Sequence, residues 1–270
     1  MLAAVLIFFR ESFEAAMICA IMLSYLKQIG QSERFKEVWM GIGLALMVDI
    51  LGGIAIFATI RHYDGSNLQT QIEGITYLIA CGVLTYMTLW MKHQGRQIKS
   101  DLQSRIRNAV GAGSLFAIAF IAFITVGREG LETVIFMIAI AFHSSPVWLA
   151  MGAILGIMLG LMLSYFIYIM GKRINLSYFF RVMGILLSLF AAGLLANGIE
   201  DFQQLGWLPK QHSLWNSAAL LSENSVFGDI LHSFFGYAES PTALQVVLYV
   251  GFLVVVSIYW NKGNRKSVSS

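Results

Sequence analysis

The sequence predicts an all-α integral membrane protein of seven transmembrane helices, arranged as a 3+3 inverted repeat plus one terminal helix. Three observations carry that expectation. Seven long apolar runs dominate a chain that is 57% hydrophobic and only 12% charged, with mean hydropathy +0.71, whereas soluble domains carry roughly 25% charged residues. Lys and Arg are rich and poor in alternate loops. The same charged pentapeptide pattern stands inside the first run and the fourth.

The runs fall near residues 2–26, 38–60, 72–91, 113–141, 147–171, 178–199 and 242–260, close to or above the roughly 20 residues that cross the hydrocarbon. The first run lacks a basic leader and holds charges where the apolar core of a cleavable signal would stand, so it reads as a retained span. The second opens on Trp39-Met40-Gly41 and the fifth on Trp148 and Met151-Gly152, a weak echo between the two halves. The expected organisation is a single transmembrane domain over 1–270: repeat 1 at about 1–91, repeat 2 at about 113–199, an outer loop at 200–240 and the last span at 242–260.

Loop charge sets the orientation. Lys27, Arg34 and Lys36 follow the first run, and only Arg61 follows the second. Lys92, Arg96, Lys99, Arg105 and Arg107 follow the third, and His143-Ser144-Ser145-Pro146, without Lys or Arg, follows the fourth. Lys172, Arg173 and Arg181 come next, then a long segment holding Lys210, then Lys262, Arg265 and Lys266 in the tail. The N-terminus is therefore expected outside and the C-terminus in the cytoplasm of a plasma membrane. Fourteen of the eighteen Lys and Arg residues lie on the inner side. The formal net charge of +3 is thus a topology signal, not a nucleic-acid footprint. Acidic outer residues would concentrate cations near an entrance, or simply reflect the exclusion of Lys and Arg from outer loops. Cys19 and Cys81 sit in apolar runs and imply neither a disulfide framework nor a cysteine zinc site.

The chemistry is concentrated in Arg10-Glu11-Ser12-Phe13-Glu14 and Arg128-Glu129-Gly130-Leu131-Glu132. Ionisable residues within a span are costly and default to a functional reading. Glutamates three apart share a helix face, and each arginine reaches the second glutamate one turn on. Two such helices running in opposite directions can present four carboxylates to one volume near the midplane, where inverted-repeat transporters bind substrate. Carboxylate oxygens are hard ligands suited to hard cations. Their occupancy by metal displaces protons, which makes affinity pH-dependent. Arg10 and Arg128 offset part of the charge. Gly127 and Gly130 permit close helix approach or a break in the fourth span. A helix-locking ion pair would explain one glutamate per helix and leave the other over.

Asp49, mid-span, and Glu73, where the third span begins, are candidates for the pathway. Glu73 also suits a helix N-terminus. Glu200 and Asp201 read as solvated outer charges, and His143, His212 and His232 as ordinary loop residues. Met87/Met91 and Met158/Met162 read as packing rather than a copper site, and Trp39, Trp90 and Trp207 as interfacial anchors.

The two Arg-Glu-x-x-Glu motifs in runs one and four resemble those of the oxidase-dependent iron permease family, which comprises the fungal high-affinity iron permease and the bacterial permease of the ferrous-iron uptake operon. The segment from Glu73-Gly74 through Thr85, Met87, Trp90 and Met91 is similar to that family's third span. Leu214-Trp215-Asn216 to Gly236-Tyr237 and Pro241 resembles its last outer loop, with Asn216 where the family is expected to hold Asp. The resemblance covers essentially the whole chain. It implies iron binding and translocation by Glu11, Glu14, Glu129 and Glu132, with Arg10 and Arg128 as motif arginines. It also implies iron as transported substrate with no permanently bound cofactor, Fe(III) handed over by an outer oxidase or iron-binding partner, and a bacterial inner-membrane location. Membrane lipid is the surrounding solvent, nucleic acid is not a partner, and a homo-oligomer is compatible with the pattern. Two other functions fit the motifs: a proton-coupled carrier of another hard metal cation, and an intramembrane metalloprotease. The second also needs histidines in the same cavity, and all five histidines lie in loops or at run ends.

Overall fold

The computed structural model describes residues 2–61, 67–94, 98–111, 115–141, 145–170, 176–209, 212–222 and 225–266. Among them are α1 (Leu2–Gln28), α2 (Phe35–Arg61), α3 (Asn67–Gln94), α4 (Ile98–Gly111), α5 (Leu115–Ala141), α6 (Pro146–Met170), α7 (Leu176–Gln204), α8 (Val226–Phe235) and α9 (Ala243–Lys266). A helix satisfies its backbone groups within one segment, which is what an apolar surrounding demands of a spanning chain. No strand occurs among the described residues; Ser213 and Thr242 form one isolated bridge.

Among the described residues, five helical stretches are long and apolar enough to cross a membrane: 32–56, 67–90, 146–167, 181–204 and 243–260. Helices α1 and α5 match them in length, with 27 residues each, but each carries three charges mid-helix, so composition alone does not class them with the five. The outward faces are apolar. On α2, Leu44, Met47, Ile50, Leu51 and Ile54 are exposed, as are Trp148, Met158, Leu161 and Met162 on α6. An apolar belt of this extent has lipid as its partner, and the chain is a multi-pass membrane protein.

Close helix pairs define the core. Gly156 and Gly160 of α6 seat on the backbone of α1 at Val5, Phe9 and Phe13 and on the Cβ atoms of Phe8 and Ser12. On α2, Gly41 presses on Ala119 and Ala122 of α5, and Asp49 on Gly130. Numbers rise together in both pairs, so α1 runs parallel to α6, and α2 to α5. Small residues allow this approach where van der Waals packing, not water, drives association. In contrast, α3 and α7 are antiparallel: Gly74 meets Asp201 and Phe202, while Gly184 meets Thr88.

Helix α1 also runs antiparallel to α5. Ala3 and Ile7 share one core cluster with Phe136, Ala139 and Ile140, against which Phe235 of α8 packs. Ile18 and Met22 share the other with Ile118, Ala122 and Val126. That second cluster also holds Leu102, Ile106 and Ala109 of α4, an i, i+4, i+7 stripe on one helical face. Arg107 donates from Nε to the Tyr25 hydroxyl, 3.1 Å away. The bundle thus has an α8 end and an α4 end, with the motifs of α1 and α5 between them.

The segment after α7 is folded back on the bundle. Ser225 caps α8 by accepting from the Gly228 N–H at 3.0 Å, and Gly236 ends it at φ +64°, a conformation open to glycine. Gly236 lies directly on Gly193 of α7, where a side chain on either would collide. Thr242 donates from Oγ1 to Gln203 Oε1 at 3.1 Å, and Gln245 donates to Glu200 Oε2 at 3.1 Å, tying the start of α9 to the end of α7.

Candidate metal centre

Both motifs sit mid-helix on faces turned toward each other. Arg10, Glu11, Glu14, Glu129 and Glu132 are all buried, Arg10 to 1% exposure. Carboxylate oxygens of Glu11, Glu129 and Glu132 lie within 4.8 Å of one another. Among the described residues this is the one group of three or more such side chains close enough to share a cation. Glu14 joins through charge: it interacts with Arg10, Glu132 and Arg128, and Arg10 interacts with all four glutamates.

The pairing within each motif leaves oxygens over. Arg10 Nη1 reaches Glu11 Oε1 at 2.5 Å and Arg10 Nε reaches Glu14 Oε1 at 2.9 Å. Arg128 Nε donates to Glu132 Oε1 at 3.0 Å. Glu11 Oε2, Glu129 Oε2 and Glu132 Oε2 are buried without a hydrogen-bond partner. A buried polar atom without a partner costs free energy. The three glutamates that keep such oxygens come from two helices and bring carboxylate atoms within 4.8 Å of one another, a hard-oxygen group of the kind oxophilic cations occupy.

The secondary candidates fall elsewhere. Asp49 is buried on the α2·α5 seam with Oδ2 lacking a hydrogen-bond partner. Its carboxylate occupies the space a side chain at Gly130 would need. Helix α5 runs unbroken through Gly127 and Gly130, so these glycines serve close approach, not a break. Glu73 accepts from the Tyr77 hydroxyl at 2.9 Å. It lies in the second turn of α3, past the terminal turn where an acid gains most from the helix dipole. Asp201 is not a solvated loop charge: α7 continues through it, and it is 7% exposed against Gly74.

Several other side chains have structural explanations. Trp39 and Trp207 are exposed at 58% and 60%, as anchors would be. Trp90 differs: the Arg128 guanidinium carbon sits 4.5 Å from its ring centroid. The indole face attracts that cation, so Trp90 is committed to the site rather than to the interface. Met87 is buried, and its sulfur accepts from Arg128 Nη2 at 2.9 Å. Met158 and Met162 face outward. Asn216 Oδ1 accepts from the Ala218 N–H at 2.9 Å, a local turn. His232 Nδ1 pairs with the Tyr237 carbonyl at 2.8 Å, and neither it nor His212 joins the carboxylate group. His143 lies outside the described residues. Sequence reasoning missed Met87 and Trp90 as neighbours of the motif. A long-range contact from α3 leaves no local pattern.

Residues 1–261 match the Iron permease FTR1 family. The chain belongs to that family. It is a transporter and not an enzyme, and the metalloprotease alternative falls with that. This permease-family chain is 33% identical over 268 residues to the ferrous iron permease EfeU of Yersinia pestis, covering 98% of itself and 95% of the relative. It is 33% identical over 252 residues to the ferrous iron permease EfeU of Escherichia coli O157:H7, covering 92% and 91%. No solved structure matches it.

Proposed function

We propose that this chain moves iron inward across a bacterial inner membrane through a site made by Glu11, Glu14, Glu129 and Glu132. The observation that carries this reading is the meeting of three buried carboxylates from two antiparallel helices within 4.8 Å. The family supplies the metal. The carboxylates supply ligands, and Arg10 and Arg128 hold the empty cage together by offsetting its charge. An ion entering the cage replaces those contacts and displaces protons that the carboxylates carry. Asp49 and Glu73 belong to the approaches rather than the cage. No resident cofactor is required, because iron itself is the cargo.

The proposed architecture is seven spans, α1–α3, α5–α7 and α9, with α1–α3 repeated upside down as α5–α7. The helix pairs support it: exchanging the two triplets carries the α1·α6 pair onto α5·α2 and leaves α1·α5 and α3·α7 in place. Aligning Arg10 with Arg128 and Gly41 with Gly152 pairs Ala45 with Gly156 and Asp49 with Gly160. The contacts Gly156–Phe9 and Gly160–Ser12 then recur as Ala45–Gly127 and Asp49–Gly130. The proposed repeats are those expected from the sequence, repeat 1 at about 1–91 and repeat 2 at about 113–199.

The proposed donor is an outer oxidase or iron-binding partner delivering Fe(III); the relatives are named for ferrous iron. Uptake of radioactive Fe(II) and Fe(III), each with and without an oxidase, separates the two. Glu14→Ala and Glu132→Ala should each abolish uptake while the protein still reaches the membrane. Normal uptake by both variants refutes the site. Uptake of another divalent metal that iron does not inhibit would favour the carrier of a different hard cation.

A further inference from the structure

The two motif arginines hold equivalent places in sequence and unequal places in space. Arg10 is 1% exposed and bonds both glutamates of its own motif. Among the described residues, Arg128 bonds only the second glutamate of its motif. Its side chain is 38% exposed, its guanidinium lies over Trp90 at 4.5 Å, and its Nη2 donates to the Met87 sulfur at 2.9 Å. The antiparallel crossing of α1 and α5 also separates them along the bundle. Arg10 precedes its glutamates coming from the α8 end, and Arg128 precedes its own coming from the α4 end.

We propose that Trp90 and Met87 form a seat that holds Arg128 on the α4 side of the carboxylate cage, and that Trp90 is thereby a positioning residue for iron binding. The proposal rests on the iron-transport reading. A guanidinium presents five N–H donors in a rigid fork and readily takes carboxylates two at a time. Free to move, Arg128 would turn onto Glu129 as well as Glu132 and fill the position of the ion. The seat spends two faces of the group instead. The ring takes its flat side, and the thioether, a weak acceptor, takes one edge. Glu129 Oε2 is left without a hydrogen-bond partner and available to the metal. No equivalent seat is needed at Arg10, whose burial fixes it against Glu11 and Glu14.

The test is a cycle of substitutions read by anaerobic Fe(II) titration of purified protein in lipid nanodiscs, alongside the KM and maximal rate of iron uptake. Trp90→Leu should weaken iron binding by about three- to thirtyfold, the range cation–π contacts span from exposed to desolvated sites, and should raise KM with little change in maximal rate. Trp90→Phe, which keeps a ring face, should restore most of the affinity. In an Arg128→Gln background, Trp90→Leu should have no further effect, because there is no guanidinium left to seat. Met87→Leu, similar in volume, should give a smaller loss in the same direction that also vanishes with Arg128→Gln, and it stands in if Trp90→Leu fails to fold. Equal losses with and without Arg128 overturn the proposal, since they mean Trp90 only packs. Wild-type affinity in Trp90→Leu also overturns it. Should Arg128→Gln itself abolish binding, equal losses in Trp90→Leu and Trp90→Phe overturn it. Absence of iron binding in the wild type, or full binding in Glu132→Ala, would instead sink the iron-site reading and is distinguishable from all of these.

Discussion

At the residue scale the cage is held by unequal hands. Arg10 is locked against Glu11 and Glu14, whereas Arg128 divides itself among Glu132, Met87 and Trp90. On the proposed reading iron competes with protons for the same oxygens, because a carboxylate that carries a proton cannot also bind metal. Lowering the pH should therefore weaken iron binding, and raising it should strengthen binding until the carboxylates are fully ionised. Isotherms measured one pH unit apart check this; identical affinities would mean that no proton leaves on binding. The glutamates themselves were legible in the sequence, because three charges in an apolar run have no cheap alternative. The matching spacing and opposite helix directions pointed to four carboxylates around one volume; Glu11, Glu129 and Glu132 meet within 4.8 Å, and Glu14 is not part of that close group. The seat under Arg128 was not legible, because Trp90 and Met87 are ordinary span residues until α3 is placed beside α5. Asp201 was misread for a related reason: nothing in its neighbourhood marks where α7 stops.

At the element scale, glycine position decides how closely helices pack. A side chain at Gly41 would strike the backbone carbonyl of Ala119, while one at Gly43 would meet nothing. Gly41→Ala should destabilise the protein by about 1–3 kcal/mol, the usual cost of overpacking a tight contact. Gly43→Ala should be neutral or slightly stabilising, as expected for an exposed helix position. Thermal stability of the two purified variants in one detergent compares them directly, and equal midpoints would mean the α2·α5 seam is looser than described. Hydropathy foretold the five stretches, in α2, α3, α6, α7 and α9, that are long and apolar enough to cross a membrane, because backbone satisfaction and span length leave little freedom. It passed over α4 and α8. The signals were present: Leu102, Ile106 and Ala109 at helical spacing, and Ser225 with Gly236 as caps. In α4 the dense Lys and Arg masked the stripe, and in α8 a ten-residue helix is too short to stand out from a loop.

At the scale of the whole molecule, the relative helix directions fit the alternation of loop charge. If the α4 end faces the cytoplasm, a thiol introduced at exposed Ser104 should react with an impermeant reagent only in inverted vesicles. One introduced at Leu220, which is 91% exposed, should react in intact cells. The opposite result would invert the orientation while leaving the cage untouched.

The glycine-seated pairs have a mechanical meaning as well. With backbone resting on backbone, α1 can scarcely slide along α6, nor α2 along α5, so each pair behaves as a stiff slab. The boundary between the slabs passes where Glu11 faces Glu129 and Glu132. If the proposed cation bridges those side chains it clasps both slabs, and its departure would unfasten them, so the cargo itself would be the rivet of the structure that carries it.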